Sequence, residues 1–80
     1  MRFMGVINYS TRDGFYYTAT GGTTHKGLPD SWNTGDSYRI GIVDSSEKVE
    51  LAGYTIEPGD MFVCTNTGSG TMSSSSWTVI

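Results

Sequence analysis

Asp36 and Asp60 occupy the same place in two similar stretches, NTGDSYRI (Asn33 to Ile40) and EPGDMFVC (Glu57 to Cys64). A pair of carboxylates at strand mouths can hold a metal or share acid and base work. Calcium, however, takes about six to eight oxygen ligands, and neither stretch has the alternating acidic spacing of a loop site. The local chemistry has a simpler use. In Glu57-Pro58-Gly59-Asp60, proline suits the second position of a type II turn and glycine the third, which needs positive φ. Asp60 then stands where its carboxylate accepts a backbone N–H as the strand begins, and Asp36 after Gly35 is placed to do the same. Gly35, Asp36, Pro58, Gly59 and Asp60 are therefore expected to shape the backbone.

The other reactive side chains are isolated. A nucleophile needs a base within reach, and the only histidine, His25, lies in a glycine- and threonine-rich stretch while the only cysteine, Cys64, ends the most apolar run. Cys64 reads as a buried small hydrophobe and His25 as a solvated loop residue, the alternative for His25 being a pH-sensitive or metal contact at a subunit boundary. Lys26 precedes Gly27 rather than following a glycine, so the Gly-Lys-Ser/Thr order of a phosphate loop is missing. Eight dispersed acids give no reason to choose a glycosidase pair. The chain is expected to be no enzyme and to need no cofactor or metal.

Two aromatics are candidates for contact with another molecule. Trp32 sits between Asp30 and Asn33, and a tryptophan among polar neighbours can bind a sugar, meet a subunit or cover one end of a core. Tyr16 and Tyr17 are adjacent on one β-prone run, so they point to opposite faces. One of them faces away from the chain's own core, and another copy is the natural cover for it.

These residues need a frame, and the frame is β. Apolar residues alternate with polar ones at Tyr38, Ile40 and Ile42, and again at Val49 and Leu51, while helical spacing is absent. Tyr54 and Ile56 continue beyond Gly53, which marks a bend or bulge. Met61 to Cys64 is apolar on both faces, as a central strand or one covered by a neighbour would be. Phe3 to Tyr9 and Phe15 to Thr20 flank Asp13-Gly14, a hairpin signal. Gly21 to Gly35 shows no periodicity and reads as a long loop, functional or laid over another chain. Asn66 to Ser76 is a small-residue loop before a closing strand, WTVI. That close suggests a module of a longer protein or a terminus tied down by pairing. The expectation is one all-β domain over residues 1–80: an N-terminal hairpin followed by a small curled antiparallel sheet or barrel, about six short strands.

Composition limits the partners. The net charge is −3 and the five basic residues are scattered, which argues against nucleic acid. No run approaches the roughly 18 apolar residues of a membrane span. With 11 glycines, 10 serines and 11 threonines in 80 residues, the apolar core is slight. One cysteine cannot form an internal disulfide, and with one histidine it cannot build a structural zinc site. Association between copies is the expected extra stabiliser, in a chain that reads as made in a reducing cytoplasm.

The order Phe3-Met4-Gly5, Leu28-Pro29, GDSYRI (Gly35 to Ile40), AGYTIEPGDMFVC (Ala52 to Cys64) and SWTVI (Ser76 to Ile80) resembles small β modules of tailed-bacteriophage fibre and appendage proteins. The resemblance implies a virion structural module of a head fibre, tail fibre or receptor-binding protein. It further implies a homotrimer, contacts with other virion proteins, and multivalent attachment to a cell-surface polysaccharide. STRDGFYYTATGGTTHKG is longer than the corresponding connection of the pattern, and no repeat follows Trp77. A monomeric carbohydrate-binding module is the alternative. A lipoyl- or biotinyl-carrier sandwich would require a lysine at a hairpin tip, and the tips here are RDG and the serine-rich loop.

Overall fold

The computed structural model describes residues 1–80 and is all-β, with ten strands and no helix. Strand β1 (Arg2–Ser10) turns back through Asp13-Gly14 into β2 (Gly14–Ala19). Gly14 supplies the positive φ of that turn, 71°, and Ser10 Oγ accepts the Asp13 N–H at 2.9 Å. A second turn at Gly22 brings β3 (Thr24–Lys26) antiparallel onto β2. The chain then passes through the two-residue β4 (Ser31–Trp32) and enters β5 (Asp36–Asp44), which lies parallel to β1 on the side away from β2. Next come β6 (Glu50–Leu51), β7 (Tyr54–Thr55), β8 (Met61–Cys64), β9 (Gly68–Ser69) and β10 (Trp77–Val79).

The main sheet has six strands in the order β10-β8-β5-β1-β2-β3; β4 pairs with β9, and β6 with β7. Pairing is antiparallel throughout except between β1 and β5. The sheet is therefore mixed and open, with β10 and β3 as its edges. The parallel pair joins segments far apart in the chain, and no turn residue announces such a pairing.

Register slips by extra residues within the β1–β5 pair. Ile7 faces Ile40 while Tyr9 faces Val43, so Gly41 and Ile42 together oppose Asn8, a β-bulge. Glycine is required at 41, where a Cβ would lie 2.4 Å from Asn8 Oδ1 and 2.6 Å from Val6 Cγ1. The same Asn8 oxygen accepts the Ile42 N–H at 2.7 Å and so supplies the partner that the bulge removes from the ladder.

One face of the sheet carries the core. Ile7, Tyr38, Ile40, Phe62, Cys64 and Trp77 are buried there, and Trp32, Met72, Val49, Leu51 and Ile56 join the same cluster from the smaller elements. Trp32 meets Trp77 edge-on at 5.6 Å between ring centroids, and Tyr54 of β7 meets Phe62 at 5.9 Å. The two small sheets thus roof the inner face.

Gly53 does not bend a continuing strand. Ala52 (φ 53°) and Gly53 (φ 82°) both take positive φ between β6 and β7, which is the signature of a type I′ hairpin turn. Likewise, Gly21 to Gly35 is not a structureless loop, since it contains β3 and β4.

Candidate functional site

The two Gly-Asp turns have one geometry. Asp36 N–H donates to Asn33 O (3.0 Å) and Asp36 Oδ2 accepts the Asn33 N–H (2.9 Å). At the second turn, Asp60 N–H donates to Glu57 O (3.1 Å) and Asp60 Oδ2 accepts the Glu57 N–H (2.8 Å). The glycines preceding them have φ of 94° and 96°. Each aspartate thus closes its turn twice, once through the main chain and once through the side chain.

Each turn also leads a strand of one antiparallel pair and is tied to the other strand of that pair. Gly35 N–H donates to Cys64 O at 2.9 Å, and Gly59 N–H donates to Ile40 O at 2.8 Å. Tyr38 faces Phe62 midway between them. The stretches GDSYRI and GDMFVC are therefore related by a local two-fold, which explains why the chain repeats itself. The same symmetry separates the carboxylates: they start opposite ends of the pair, about four residues or 13 Å of strand apart. The aspartates differ in surroundings, since Asp36 is only 4% exposed and Asp60 is half-buried.

No three His, Cys, Asp or Glu side chains gather as a metal set, and the surface carries no pocket. His25 lies on the exposed edge strand β3, its ring stacked on Tyr17 at 4.8 Å, whereas Cys64 is buried beside the partner strand of Trp77. Burial pushes the Cys64 thiol up, and the thiol donates to Asn66 O at 3.1 Å. Tyr38, buried against Tyr17 and near Asp36, has its phenol pushed up to about 12, first by desolvation and then by those two groups.

Trp32 is corrected by its surroundings. It is 4% exposed, packed on Trp77, with the Gly68 backbone so close that a Cβ there would lie 3.1 Å from the indole Nε1. A buried ring of this kind is a core element and offers no surface to a receptor or subunit. Its polar neighbours in sequence mislead because its neighbours in space come from β9 and β10.

Tyr16 stands on the other side of the sheet from Tyr17, as their adjacency requires. Tyr17 turns to Tyr38 and His25, while Tyr16 shares the outer face with its register partners Asn8 and Lys26. Val6 lies between Thr18 and Arg39, Arg39 between Val6 and Met61, and Val63 between Ser37 and Thr78, with Phe3 opposite Ser37. Val6, Tyr16, Met61 and Val63 are partly buried, and Phe3 is 47% exposed. Ile80 is 69% exposed and continues the Met61 row, its N–H donating to Met61 O at 3.0 Å. The outer face thus mixes these apolar side chains with Asn8, Thr18, Lys26, Ser37, Arg39 and Thr78. Two traces of this face stand in the sequence, the Tyr16-Tyr17 pair and the doubly apolar Met61 to Cys64 run.

Comparison with protein-family models, curated proteins and solved structures finds no match for this chain.

Proposed function

We propose that this chain is a structural, non-catalytic β module that works through the outer face of its six-stranded sheet. The observation that carries the reading is the set of apolar side chains on that face, Phe3 (47% exposed), Val6, Tyr16, Met61 and Val63, interspersed with polar ones. Antiparallel sheets commonly leave one face to water, but that face is then mainly polar. Here the outer face carries apolar side chains at β1, β2 and β8, which suits it as a contact surface.

The resemblance to phage fibre and appendage modules supplies the setting: a virion component assembled from several copies, a trimer in that pattern, displaying a surface for host attachment. Stacked or ringed copies would give such an appendage stiffness and several weak contacts at once. Trp32, being buried, cannot serve the alternative of a free-standing sugar-binding module.

Light scattering over a wide concentration range tests the contact surface. The wild-type chain is expected to associate, and Val63→Lys, which charges the outer face of β8 without touching the core, is expected to give a folded single copy. A wild-type chain that stays single at high concentration would remove the reading. The virion setting is tested separately, by probing purified particles for the chain with an antibody.

A further inference from the structure

Five rings form one line through the molecule. Trp32 meets Trp77 at 5.6 Å between centroids, Trp77 meets Tyr38 at 5.9 Å, Tyr38 meets Tyr17 at 6.0 Å, and Tyr17 stacks on His25 at 4.8 Å. The line runs outward: Trp32, Trp77 and Tyr38 are buried, Tyr17 is partly buried, and His25 is exposed on the edge strand β3. The other two aromatic contacts, Tyr9 with Phe15 and Tyr54 with Phe62, each end on a phenylalanine. Indole and phenol give up an electron far more readily than a plain benzene ring does. Only the first line therefore joins oxidisable rings from the core to the edge of the sheet.

The surroundings give the line a direction. Neither Trp32 nor Trp77 finds an acceptor in the protein for its indole N–H, so a tryptophan that loses an electron there keeps its proton and becomes a cation. An unpaired cation in an apolar core is costly, and an electron from the next ring relieves it. Tyr38 is a poor place for the oxidation to rest. Desolvation first, then Tyr17 and Asp36, push its phenol up to about 12, and a phenol that holds its proton resists oxidation. Cys64, the register partner of Trp77, is kept as the less oxidisable thiol by burial. Tyr17 is the first ring on the line outside the buried core, where water takes up a phenolic proton.

We propose that the line from the Trp32–Trp77 pair through Tyr38 to Tyr17 drains one-electron oxidation from the core to the edge of the sheet. A one-electron oxidant, chemical or photochemical, removes an electron from one indole. An electron from Tyr17, passing through the ring of Tyr38, restores that indole, and Tyr17 releases its phenolic proton to water. The sum is one electron moved to the oxidant, one proton released and a neutral phenoxyl radical on Tyr17. A soluble thiol or ascorbate repairs it by giving back a hydrogen atom. This activity is independent of the outer face and of association between copies.

Laser-flash photolysis of the whole chain tests it, with circular dichroism to show that each variant folds. A pulse at the red edge of indole absorption, with a scavenger for the ejected electron, makes the tryptophan radical directly, and transient absorption follows its band giving way to that of a phenoxyl radical. In the wild type this exchange is expected to be first order and independent of protein concentration. Tyr17→Phe should abolish the phenoxyl band and prolong the indole radical. Tyr16→Phe, the next residue on the opposite face, and Cys64→Ala should leave both unchanged. Tyr38→Phe keeps a ring between Trp77 and Tyr17 and should still yield the phenoxyl; loss of the band in that variant would overturn the bridging step. A wild-type indole radical that decays without a phenoxyl band, an exchange that quickens with protein concentration, or a phenoxyl band that survives Tyr17→Phe would overturn the proposal as a whole.

Discussion

The paired turns allow one physical quantity, the burial of a hydrogen-bonded carboxylate, to be tested twice in one molecule. Asp36→Ala and Asp60→Ala remove the same bond, to the N–H three residues back, in the same geometry. At Asp36, 4% exposed, the orphaned Asn33 N–H lies in a part-buried site. A charge-assisted hydrogen bond contributes about 1.5–3 kcal/mol there, and the donor left behind loses much of its access to water. At Asp60 the Glu57 N–H is exposed and water replaces the carboxylate, so the loss is about 1 kcal/mol or less. With about 4–8 °C per kcal/mol for a domain of this size, Asp36→Ala should lower Tm by roughly 6–24 °C and Asp60→Ala by no more than about 8 °C.

Thermal unfolding followed by near-ultraviolet circular dichroism reads both, since Trp32 and Trp77 are buried and report on the core. Asp36→Asn keeps an acceptor and should recover much of the loss. Equal drops for the two alanine variants, or a larger one at Asp60, would refute the assignment of the difference to burial. A drop below about 2 °C at Asp36 would refute the turn-closing role itself.

Other outcomes follow from single contacts. Gly5→Ala should be severely destabilising, by about 2 kcal/mol or more, because a Cβ at this position (φ 153°) would lie 2.2 Å from Thr18 O and force β1 from β2; a melt that stays within a few degrees of wild type would contradict it. Tyr38 has a folded pKa near 12 against an ordinary value of 10, so the unfolded chain loses its proton first. Stability should be whole below pH 10 and fall towards pH 12, at up to about 1.4 kcal/mol per unit, and Tyr38→Phe should flatten that fall in alkaline denaturant titrations. Cys64 should resist maleimide at pH 8 in the native protein and react on unfolding, because its thiol is buried, bonded to Asn66 O and shifted up; rapid native labelling would contradict the packing.

Local chemistry carried most of what could be read in advance. Period-two alternation gives an all-β chain, Asp13-Gly14 gives the first hairpin, and Pro58-Gly59 gives a turn with φ 96° at the glycine. Each is decided by residues adjacent in sequence. The parallel β1–β5 pair depends on contacts such as Ile7 with Ile40, and its bulge depends on an asparagine side chain reaching across to Ile42. Strands of two residues, β4 and β9, are too short to show a period. Trp32 was ambiguous for the same reason: the ring that buries it, Trp77, is distant in sequence. Ala52 holds positive φ where a non-glycine residue rarely does, so the sequence of the β6–β7 turn points to a bend at Gly53 alone.

The slight apolar content argued that copies must lend one another hydrophobic cover. The folded chain changes the form of that argument. Its radius of gyration, 11.5 Å, equals that of a free-standing domain of 80 residues, about 11.6 Å. Its surface of 4724 Å² matches the roughly 4,700 Å² expected for a monomer of 8.7 kDa. Two small sheets and two interlocked Gly-Asp turns close the core without a neighbour. The proposed contact between copies would therefore add to a finished fold and would not complete it. Variants that separate copies should still melt cooperatively, because the apolar residues of the outer face are already partly covered by their cross-strand neighbours.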